Sequence, residues 1–340
     1  MTIKTLITSY LEPEFVEQIR QIDPRLEIIY EPSLIAKPRY TADHKGAAFA
    51  RSAAQETYWQ TLLKDADIIF DFDQTHLEDL PELATNAKWL QASSSGVARF
   101  ISENRYDKRM PNTVFTNAAG IHAQPLAEFC FMVMSIFNKG FLQMQEDQKN
   151  RHWARYAGRD LSNKTLVIVG LGKVGQEVAR LARQFRMKTI GIKRTLQNVV
   201  AEELNVDEIF TPDALESILP AADYLVLIAP HTSETENMLG EKELALMPKG
   251  AVVINIGRGA LLDEAALIDA LRRGHLLGAG LDVFKTEPLP KDSPFWDMPN
   301  VIVSPHSAST TDNENRLITE LFCQNLKLFL ARKPLINVVA

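Results

Sequence analysis

Cysteine is scarce in this chain, which limits the chemistry and the cross-links available to it. Only Cys130 and Cys323 occur among 340 residues, and they lie far apart in sequence. Cys130 falls in the apolar run EFCFMVM, where a thiol behaves as a small hydrophobe. We therefore expect no disulfide and no metal site.

Long apolar runs and basic runs are also missing. No uninterrupted apolar segment approaches the ~20 residues that a membrane-spanning helix requires, and the apolar stretch near the N-terminus is too short for a signal-peptide core. The formal net charge is -6, and no Lys/Arg-rich run offers a surface to a polyanion. We expect a cytoplasmic protein without a nucleic-acid or membrane partner.

The composition that remains is that of a globular protein with more than one core. Hydrophobic residues make up 46% of the chain and charged residues 24%, which argues against a disordered or fibrous protein. At ~150 residues per domain, the length predicts two domains. Short apolar runs alternate with amphipathic stretches, a pattern typical of parallel α/β sheets.

The apolar runs predict strands in both halves of the chain. Those of the N-terminal part are IKTLIT, LEIIY, ADIIFDF and KWLQAS, and those after Lys164 are TLVIVG, KTIGIK, EIFT, YLVLIA, AVVINI, GAGLDV and VIVSPH. Residues 121–153 predict one long helix, and Asp263 and Gly274 are predicted to begin and end another. We predict an α/β protein of two Rossmann-like domains, each with a doubly wound parallel sheet, and a cleft between them.

A glycine motif follows the strand TLVIVG. Gly170, Gly172 and Gly175 have the spacing G-x-G-x-x-G between a β-branched strand and a helical pattern, which is the context of a dinucleotide site. Gly170 permits a tight turn, Gly172 leaves room for a pyrophosphate, and Gly175 lets helix and strand approach. The pyrophosphate would contact N–H groups at the helix N-terminus. The alternative is a strand-to-helix turn without a ligand.

Two cations stand where a site specific for NAD usually carries an acid. The strand KTIGIK ends at Lys193, and Arg194 follows. An Asp or Glu there accepts hydrogen bonds from the ribose hydroxyls of NAD, whereas a cation pair attracts a 2′-phosphate. The sequence therefore predicts NADP(H) as the preferred cofactor, with NAD(H) possible. The alternative is that both cations lie on a solvated surface.

Three groups with complementary chemistry follow successive predicted strands. They are Arg258 in INIGRGALLDE, Glu287 in GLDVFKTEPLP and His306 in VIVSPHSAST. His306 can donate a proton to a carbonyl oxygen, Glu287 can hold the imidazole and favour its charged form, and Arg258 can grip a carboxylate with two N–H groups. Each residue also has a structural alternative, in a proline-flanked loop or at a helix cap. Together they predict hydride transfer to the carbonyl of a carboxylate-bearing substrate.

These segments resemble the D-isomer-specific 2-hydroxyacid dehydrogenase family. VGLGKVG, INIGRGALLDEAALIDAL, GLDVFKTEPLP, PNVIVSPHSAST and the closing LINVV stand in that family's order and spacing. The resemblance implies Arg258, Glu287 and His306 as the catalytic set. It also implies that Asp282 lies near the nicotinamide amide, and that Ser95 and Gly96 present backbone N–H groups to the substrate carboxylate. Pro230 and Thr235 fall in a loop that the family places beside the adenosine and the nicotinamide ribose.

The resemblance also implies an architecture. A substrate-binding domain would span 1–118 and be completed by 307–340, and a dinucleotide-binding Rossmann domain would span 119–306 and form a homodimer. The predicted substrate-binding residues are Ser95, Gly96, Arg258 and His306. The predicted cofactor-binding residues are Gly170, Gly172, Lys173, Val174, Gly175, Lys193, Arg194, Pro230, Thr235, Ile256, Gly257, Arg258, Asp282 and His306.

Lys193 departs from the family's usual acid and resembles the NADP-preferring glyoxylate and hydroxypyruvate reductase branch. Glu287 argues against formate dehydrogenase activity, because formate dehydrogenases carry Gln beside the histidine. We expect reduction of glyoxylate, hydroxypyruvate or a similar 2-oxo acid to the D-2-hydroxy acid. A second class stays open, since the same scaffold also serves as a dinucleotide-sensing co-repressor. His122 and His231 are interpreted as structural or peripheral.

Overall fold

Parallel pairing joins all the strands in residues 2–197 and 199–339, the part of the chain that this computed structural model describes. The contacts divide the chain into two units. The first comprises the chain up to His122 and from Thr310 onward, and the second comprises Ala123–Ser309. These borders lie a few residues after the predicted ones at 118/119 and 306/307.

The first unit contains a five-stranded sheet in the order β2-β1-β3-β4-β5. Its strands are β1 (Ile3–Ile7), β2 (Leu26–Ile29), β3 (Ile68–Phe70), β4 (Trp89–Gln91) and β5 (Val114–Thr116). Its helices are α1 (Pro13–Arg20), α2 (Ala53–Asp65), α3 (Leu80–Leu83), α4 (Ala98–Glu103), α5 (Tyr106–Arg109) and, near the end of the chain, α12 (Glu314–Leu330), with a 3₁₀ turn at Pro32–Leu34. Strand β5 was not predicted, because its apolar run is only Val114 and Phe115, between polar residues on both sides.

The second unit contains a seven-stranded sheet in the order β12-β11-β10-β9-β6-β7-β8. Its strands are β6 (Thr165–Val169), β7 (Lys188–Ile192), β8 (Glu208–Phe210), β9 (Tyr224–Leu227), β10 (Val252–Asn255), β11 (Gly278–Leu281) and β12 (Val301–Val303). Its helices are α6 (Ala123–Lys139), α7 (Phe141–Lys149), α8 (Lys173–Gln184), α9 (Leu215–Ile218), α10 (Glu241–Leu246) and α11 (Glu264–Arg272). Short 3₁₀ turns occur at Glu202–Leu204, Pro212–Ala214, Leu219–Ala221, Gly259–Leu261 and Pro294–Asp297. The predicted fold class, two α/β units with parallel sheets, is confirmed.

Apolar layers cover both faces of each sheet. In β6, Val167 and Val169 belong to one buried cluster, while Leu166 and Ile168 belong to the other. Successive side chains of a strand point to opposite faces, so a strand covered on both sides reads as a continuous apolar run. Each fully buried aliphatic side chain contributes roughly 1.5–3 kcal/mol. This explains why the apolar runs predicted most of the strands.

The single long helix predicted over 121–153 is wrong. Helix α6 ends at Lys139, and α7 begins at Phe141 with its axis turned by 59°. Gly140 between them has φ 64, a left-handed conformation that ends the first helix. Among the described residues no single helix is long and apolar enough to cross a bilayer, and this bent pair meets that test only when both helices are taken together.

Helix α11 begins and ends where the sequence predicts. The Asp263 carboxylate accepts hydrogen bonds from the backbone N–H groups of Ala265 and Ala266, at 3.0 and 3.2 Å. Gly274, with φ 64, follows the last turn. This helix connects β10 to β11, the two strands whose carboxyl ends carry Arg258 and Glu287, and it therefore fixes the spacing of that part of the site.

Candidate active site

The glycine turn joins β6 to α8 where the strand order of the second sheet reverses, between β6 and β9. Open α/β sheets bind ligands at this point, beyond the carboxyl ends of the strands. Gly170 has φ 109, and a Cβ there would lie 2.8 Å from the backbone nitrogen of Ala229. A Cβ on Gly175 would overlap the carbonyl oxygen of Gly170. Neither position accepts a side chain without movement of the backbone.

Gly172 lies in a different environment. It is the N-cap of α8, and no atom lies within 4 Å of a Cβ built at this position. The first backbone N–H to bond within the helix is that of Gln176, at 3.0 Å from the Gly172 oxygen. Helix geometry leaves the N–H groups of the preceding turn, which includes Val174, without intrahelical acceptors. Open space beside such donors fits the pyrophosphate of a dinucleotide.

Lys193 and Arg194 follow β7 directly. The backbone N–H of Lys193 donates to the Phe210 oxygen at 2.9 Å, which continues the pairing of β7 with β8. Lys193 is half-buried and Arg194 is exposed. Within the part of the chain that the structure describes, neither cation forms an ion pair with a carboxylate. Their positive charge is therefore available to an anionic group.

The loop after β9 is held by hydrogen bonds between its own residues. The Thr235 hydroxyl donates to the Pro230 oxygen at 2.8 Å and accepts from the Thr232 N–H at 2.8 Å. Thr235 thus shapes the loop from within. Its predicted contact with the nicotinamide ribose stays a prediction.

A buried asparagine shapes the turn that carries Arg258. Asn255, 1% exposed at the end of β10, accepts from the Gly257 N–H at 3.1 Å and donates to the Arg258 oxygen at 2.9 Å. Ile256, between them, is buried. The Arg258 side chain is exposed and donates through Nη1 to the Gly257 oxygen at 2.6 Å. The other guanidinium N–H groups have no acceptor among the described residues, so they can bind a carboxylate.

His306 and Glu287 form the predicted dyad. His306 Nδ1 lies 2.8 Å from Glu287 Oε2, and Glu287 Oε1 accepts from the Phe284 N–H at 3.0 Å. With the carboxylate accepting from Nδ1–H, Nε2 is the nitrogen left for proton transfer. The His306 side chain is 49% exposed, so solvent screens the ion pair and its main effect is to orient the ring.

Asp282 holds the loop on which His306 stands. Its carboxylate, buried at the end of β11, accepts through Oδ1 from the Ser304 hydroxyl at 2.6 Å, the Ser307 N–H at 2.8 Å and the Ala308 N–H at 3.0 Å. The backbone N–H of His306 donates to the backbone carbonyl oxygen of Asp282 at 2.9 Å. His306 itself has φ 54, a strained conformation that these bonds maintain. Sequence reasoning missed this role, although Ser304 and Ser307 flank the histidine in the motif.

Arg258, Asp282, Glu287 and His306 therefore follow three neighbouring strands, β10, β11 and β12, at one edge of the second sheet. The Arg258 turn lies directly against the loop after β11, since a Cβ on Gly259 would overlap the Phe284 backbone. The arrangement offers a cation, an oriented imidazole and a supporting carboxylate. That set suits the binding and protonation of a carboxylate-bearing carbonyl compound.

In the first unit, the loop after β4 carries Ser95 and Gly96. The buried Asp71 carboxylate accepts from the Ser93 N–H at 3.1 Å and from the Ser93 hydroxyl at 2.8 Å, and Asn117 Nδ2 donates to the Ser95 oxygen at 2.8 Å. Among the described residues, the N–H groups of Ser95 and Gly96 have no acceptor. A fixed loop with two unused donors fits an anion.

His122, interpreted from the sequence as structural or peripheral, contacts this loop. Its Nδ1 lies 3.0 Å from Ser95 Oγ, and its Nε2 lies 3.2 Å from Glu314 Oε1. No local pattern in the sequence reveals this contact, because Glu314 is 192 residues away along the chain. The two cysteines do not take part: both are buried and free, and burial raises the pKa of Cys130, and that of Cys323 to about 11.

The fold and this site define an α/β oxidoreductase with a dinucleotide turn. Residues 131–308, more than half of the chain and all within the second unit, match the family described as D-isomer specific 2-hydroxyacid dehydrogenase, NAD binding domain. The chain belongs to the D-isomer specific 2-hydroxyacid dehydrogenase family. The resemblance noted from the sequence is confirmed.

Relatives and solved structures agree with this assignment. A D-3-phosphoglycerate dehydrogenase of Methanocaldococcus jannaschii is 31% identical over 82% of this chain and 52% of its own length. A glyoxylate reductase of Thermococcus gammatolerans is 35% identical over 63% of this chain and 65% of its own length. This chain thus spans about half and two thirds of these two relatives. A family member from Aeromonas salmonicida has a TM-score of 0.80 at 26% identity, covering 100% of this chain and 99% of that one.

Gly172→Ala and Gly175→Ala form a matched pair that separates ligand binding from folding. Because a methyl group at 172 meets open space, this variant should keep the wild-type melting temperature and lose affinity for the dinucleotide. At 175 the methyl group overlaps backbone, which should cost about 1–3 kcal/mol of unfolding free energy. Urea unfolding and calorimetric titration with NADP and NAD measure the two effects. Equal loss of stability in both variants would contradict the assignment.

Proposed function

We propose that this protein reduces a small 2-oxo acid, such as glyoxylate or hydroxypyruvate, to its D-2-hydroxy acid with NADPH as the preferred reductant. The observation that carries the proposal is the His306–Glu287 contact of 2.8 Å at the end of β12, beside the Arg258 turn. The glyoxylate reductase of Thermococcus gammatolerans supports the substrate class.

The chemistry divides between the cofactor and the chain. The glycine turn after β6 would hold the dinucleotide, and a reduced nicotinamide would supply the hydride for the carbonyl carbon. His306, as an imidazolium, donates the Nε2 proton to the carbonyl oxygen and is left neutral. Glu287 accepts from Nδ1–H throughout, which keeps the ring in one orientation.

Substrate binding uses the donors that the protein leaves unpaired. The Arg258 guanidinium, bonded to the chain through one N–H to the Gly257 oxygen, binds the carboxylate in a two-pronged manner. The N–H groups of Ser95 and Gly96, which lack acceptors among the described residues, bind the same kind of group from a loop fixed by Asp71.

The cofactor preference rests on Lys193 and Arg194. Two cations without carboxylate partners in the described part of the chain follow β7, where an acid would select the ribose hydroxyls of NAD. Each charge-assisted hydrogen bond to a 2′-phosphate is worth roughly 1.5–3 kcal/mol. A structure of a NADPH-dependent glyoxylate/hydroxypyruvate reductase from Sinorhizobium meliloti in complex with NADP has the same fold, with a TM-score of 0.74 at 23% identity over 99% of this chain and 98% of that one.

A panel of 2-oxo acids, assayed with NADPH and with NADH, tests the activity and the cofactor together. We expect oxidation of the reduced cofactor with glyoxylate or hydroxypyruvate, at a higher kcat/KM for NADPH. Lys193→Asp should lower kcat/KM for NADPH about 10-fold or more, since each 1.4 kcal/mol is a factor of ten. It should raise kcat/KM for NADH, because the new carboxylate can accept hydrogen bonds from the ribose hydroxyls. Lys188→Asp, which alters an exposed cation on the same strand, is the control. Tight cofactor binding without turnover would instead support the sensor function.

Glu287→Gln tests the dyad. Glutamine can still accept from Nδ1–H through its amide oxygen, but a neutral acceptor holds the ring less strongly than a carboxylate does. We expect kcat for reduction to fall about 10-fold, because the ring is less firmly oriented for proton transfer. Kinetics are measured at saturating NADPH, with Glu264→Gln in the neighbouring helix as the control. A wild-type kcat in Glu287→Gln would count against the pairing.

We also propose a homodimer formed through the second unit. Large apolar side chains remain exposed along α6, α7 and the segment after them, among them Met132, Phe141 and Trp153, which is 96% exposed. Apolar groups concentrated in this way are typical of protein interfaces.

Sedimentation equilibrium should give the mass of two chains for the wild type. Because a charge in an apolar contact opposes association, Trp153→Asp should shift the equilibrium toward single chains. Tyr58→Asp, at an exposed aromatic residue of the first unit, should have no such effect. A wild-type protein that sediments as one chain at micromolar concentration would exclude this arrangement.

A further inference from the structure

A chain of three polar side chains ends at the predicted substrate loop of the first unit. Ser95 Oγ lies 3.0 Å from His122 Nδ1, and His122 Nε2 lies 3.2 Å from Glu314 Oε1. His122 is the last residue of this unit before α6, and Glu314 is the first residue of α12. The reaction proposed above uses the backbone N–H of Ser95 but leaves its hydroxyl, His122 and Glu314 without a role.

The side chains of His122 and Glu314 are largely buried, so the balance of charge between them matters. The side chains of His122 and Glu314 are only 13% and 10% exposed, and Glu314 Oε2 has no hydrogen-bond partner among the described residues. An ionised carboxylate buried without a positive partner is costly. The residue next to it, Asn315, donates to a second carboxylate, Glu12, at 2.9 Å. Among the described residues, His122 is the group paired with Glu314 that can carry a positive charge.

The proton on His122 decides what the Ser95 hydroxyl can do. A neutral imidazole that donates through Nε2–H to Glu314 has a lone pair at Nδ1, so the Ser95 O–H points to the ring and its oxygen faces an incoming anion. An imidazolium donates through Nδ1–H to Ser95 Oγ instead, and the Ser95 O–H is then free to donate elsewhere. Only the second arrangement adds a donor for a carboxylate beside the Ser95 and Gly96 N–H groups.

We propose that His122 is a positioning residue that bridges Glu314 and Ser95, donates through Nδ1–H to Ser95 Oγ, and turns the Ser95 hydroxyl toward the carboxylate of the 2-oxo acid. This inference rests on the proposed function, and it names a part of the same substrate site. The pair stabilises substrate binding and takes no part in proton transfer to the carbonyl oxygen, so its effect falls on KM rather than on kcat.

Steady-state kinetics of single and double variants test the coupling. Ser95→Ala and His122→Ala should each raise KM for the 2-oxo acid about 10-fold, with kcat and the affinity for NADPH within about two-fold of the wild type. The double variant should be no worse than either single variant, because both remove the same hydrogen bond. Glu314→Gln, which keeps the bond to Nε2 but removes the charge, should raise KM in the same way. Additive effects on KM, or unchanged KM in Glu314→Gln, would overturn the proposal.

Two further variants separate positioning from a purely structural role. His122→Asn keeps an N–H group near the position of Nδ1 and should restore KM to within about three-fold of the wild type. His76→Ala is the matched control, because His76 likewise contacts partners through both ring nitrogens, here Glu56 and Asp79, with a side chain 11% exposed. It should lower the melting temperature without raising KM. If His122→Asn is as impaired as His122→Ala, or if His122→Ala changes only the melting temperature, the inference fails.

Binding of oxalate distinguishes failure of this inference from failure of the proposed function. Oxalate is an unreactive carboxylate ligand, and its affinity for the NADP-loaded protein is measured by calorimetry. Affinity that falls in Ser95→Ala and His122→Ala supports the inference even if the wild type shows no turnover on any 2-oxo acid. The inference is contradicted if the wild type turns over a 2-oxo acid while oxalate affinity is unchanged in both variants. It is also contradicted if oxalate does not bind at all. In either case the reductase activity is judged separately, from the 2-oxo acid assay.

Discussion

Parallel pairing of every strand is the constraint on which the site depends. When neighbouring strands run in the same direction, their carboxyl ends lie at one edge of the sheet, and the residues that follow them meet there. In the second unit this brings the loops after β10, β11 and β12 together, with the glycine turn after β6 farther along the same edge. The helices that connect the strands bury both faces of the sheet, so the edge is the place where polar side chains can gather without loss of apolar burial.

Each reactive group at these edges stands on a loop that a buried polar side chain holds. Asn255 bonds to the turn of Arg258, Asp282 bonds to the loop of His306, and Asp71 bonds to the loop of Ser95. A buried carboxylate or amide is stable only when its hydrogen bonds are made, so these loops cannot relax without leaving such a group unpaired. The protein thereby fixes side chains that are themselves exposed. The strained backbone of His306, with φ 54, is maintained in the same way.

The groups that follow β7 and those that follow β12 differ in how their charge is balanced. Lys193 and Arg194 have no carboxylate partner in the described residues, whereas His306 is paired with Glu287 at 2.8 Å. Cations without a carboxylate partner are suited to bind an anionic group of a ligand. An imidazole beside a carboxylate is suited to transfer one proton. The first unit adds Glu314 and His122, a second carboxylate–imidazole pair that is more buried than the first.

The sequence by itself determined the strands, the glycine turn and the order of Arg258, Glu287 and His306, because apolar runs and local motifs report on neighbours in the chain. It failed at β5 and at Gly140, where a short edge strand and a single glycine give too weak a pattern. Only the tertiary structure decided that Asp282 supports the histidine loop and that His122 joins Ser95 to Glu314. Those contacts link residues up to 192 positions apart, and folding alone brings such residues to hydrogen-bond distance.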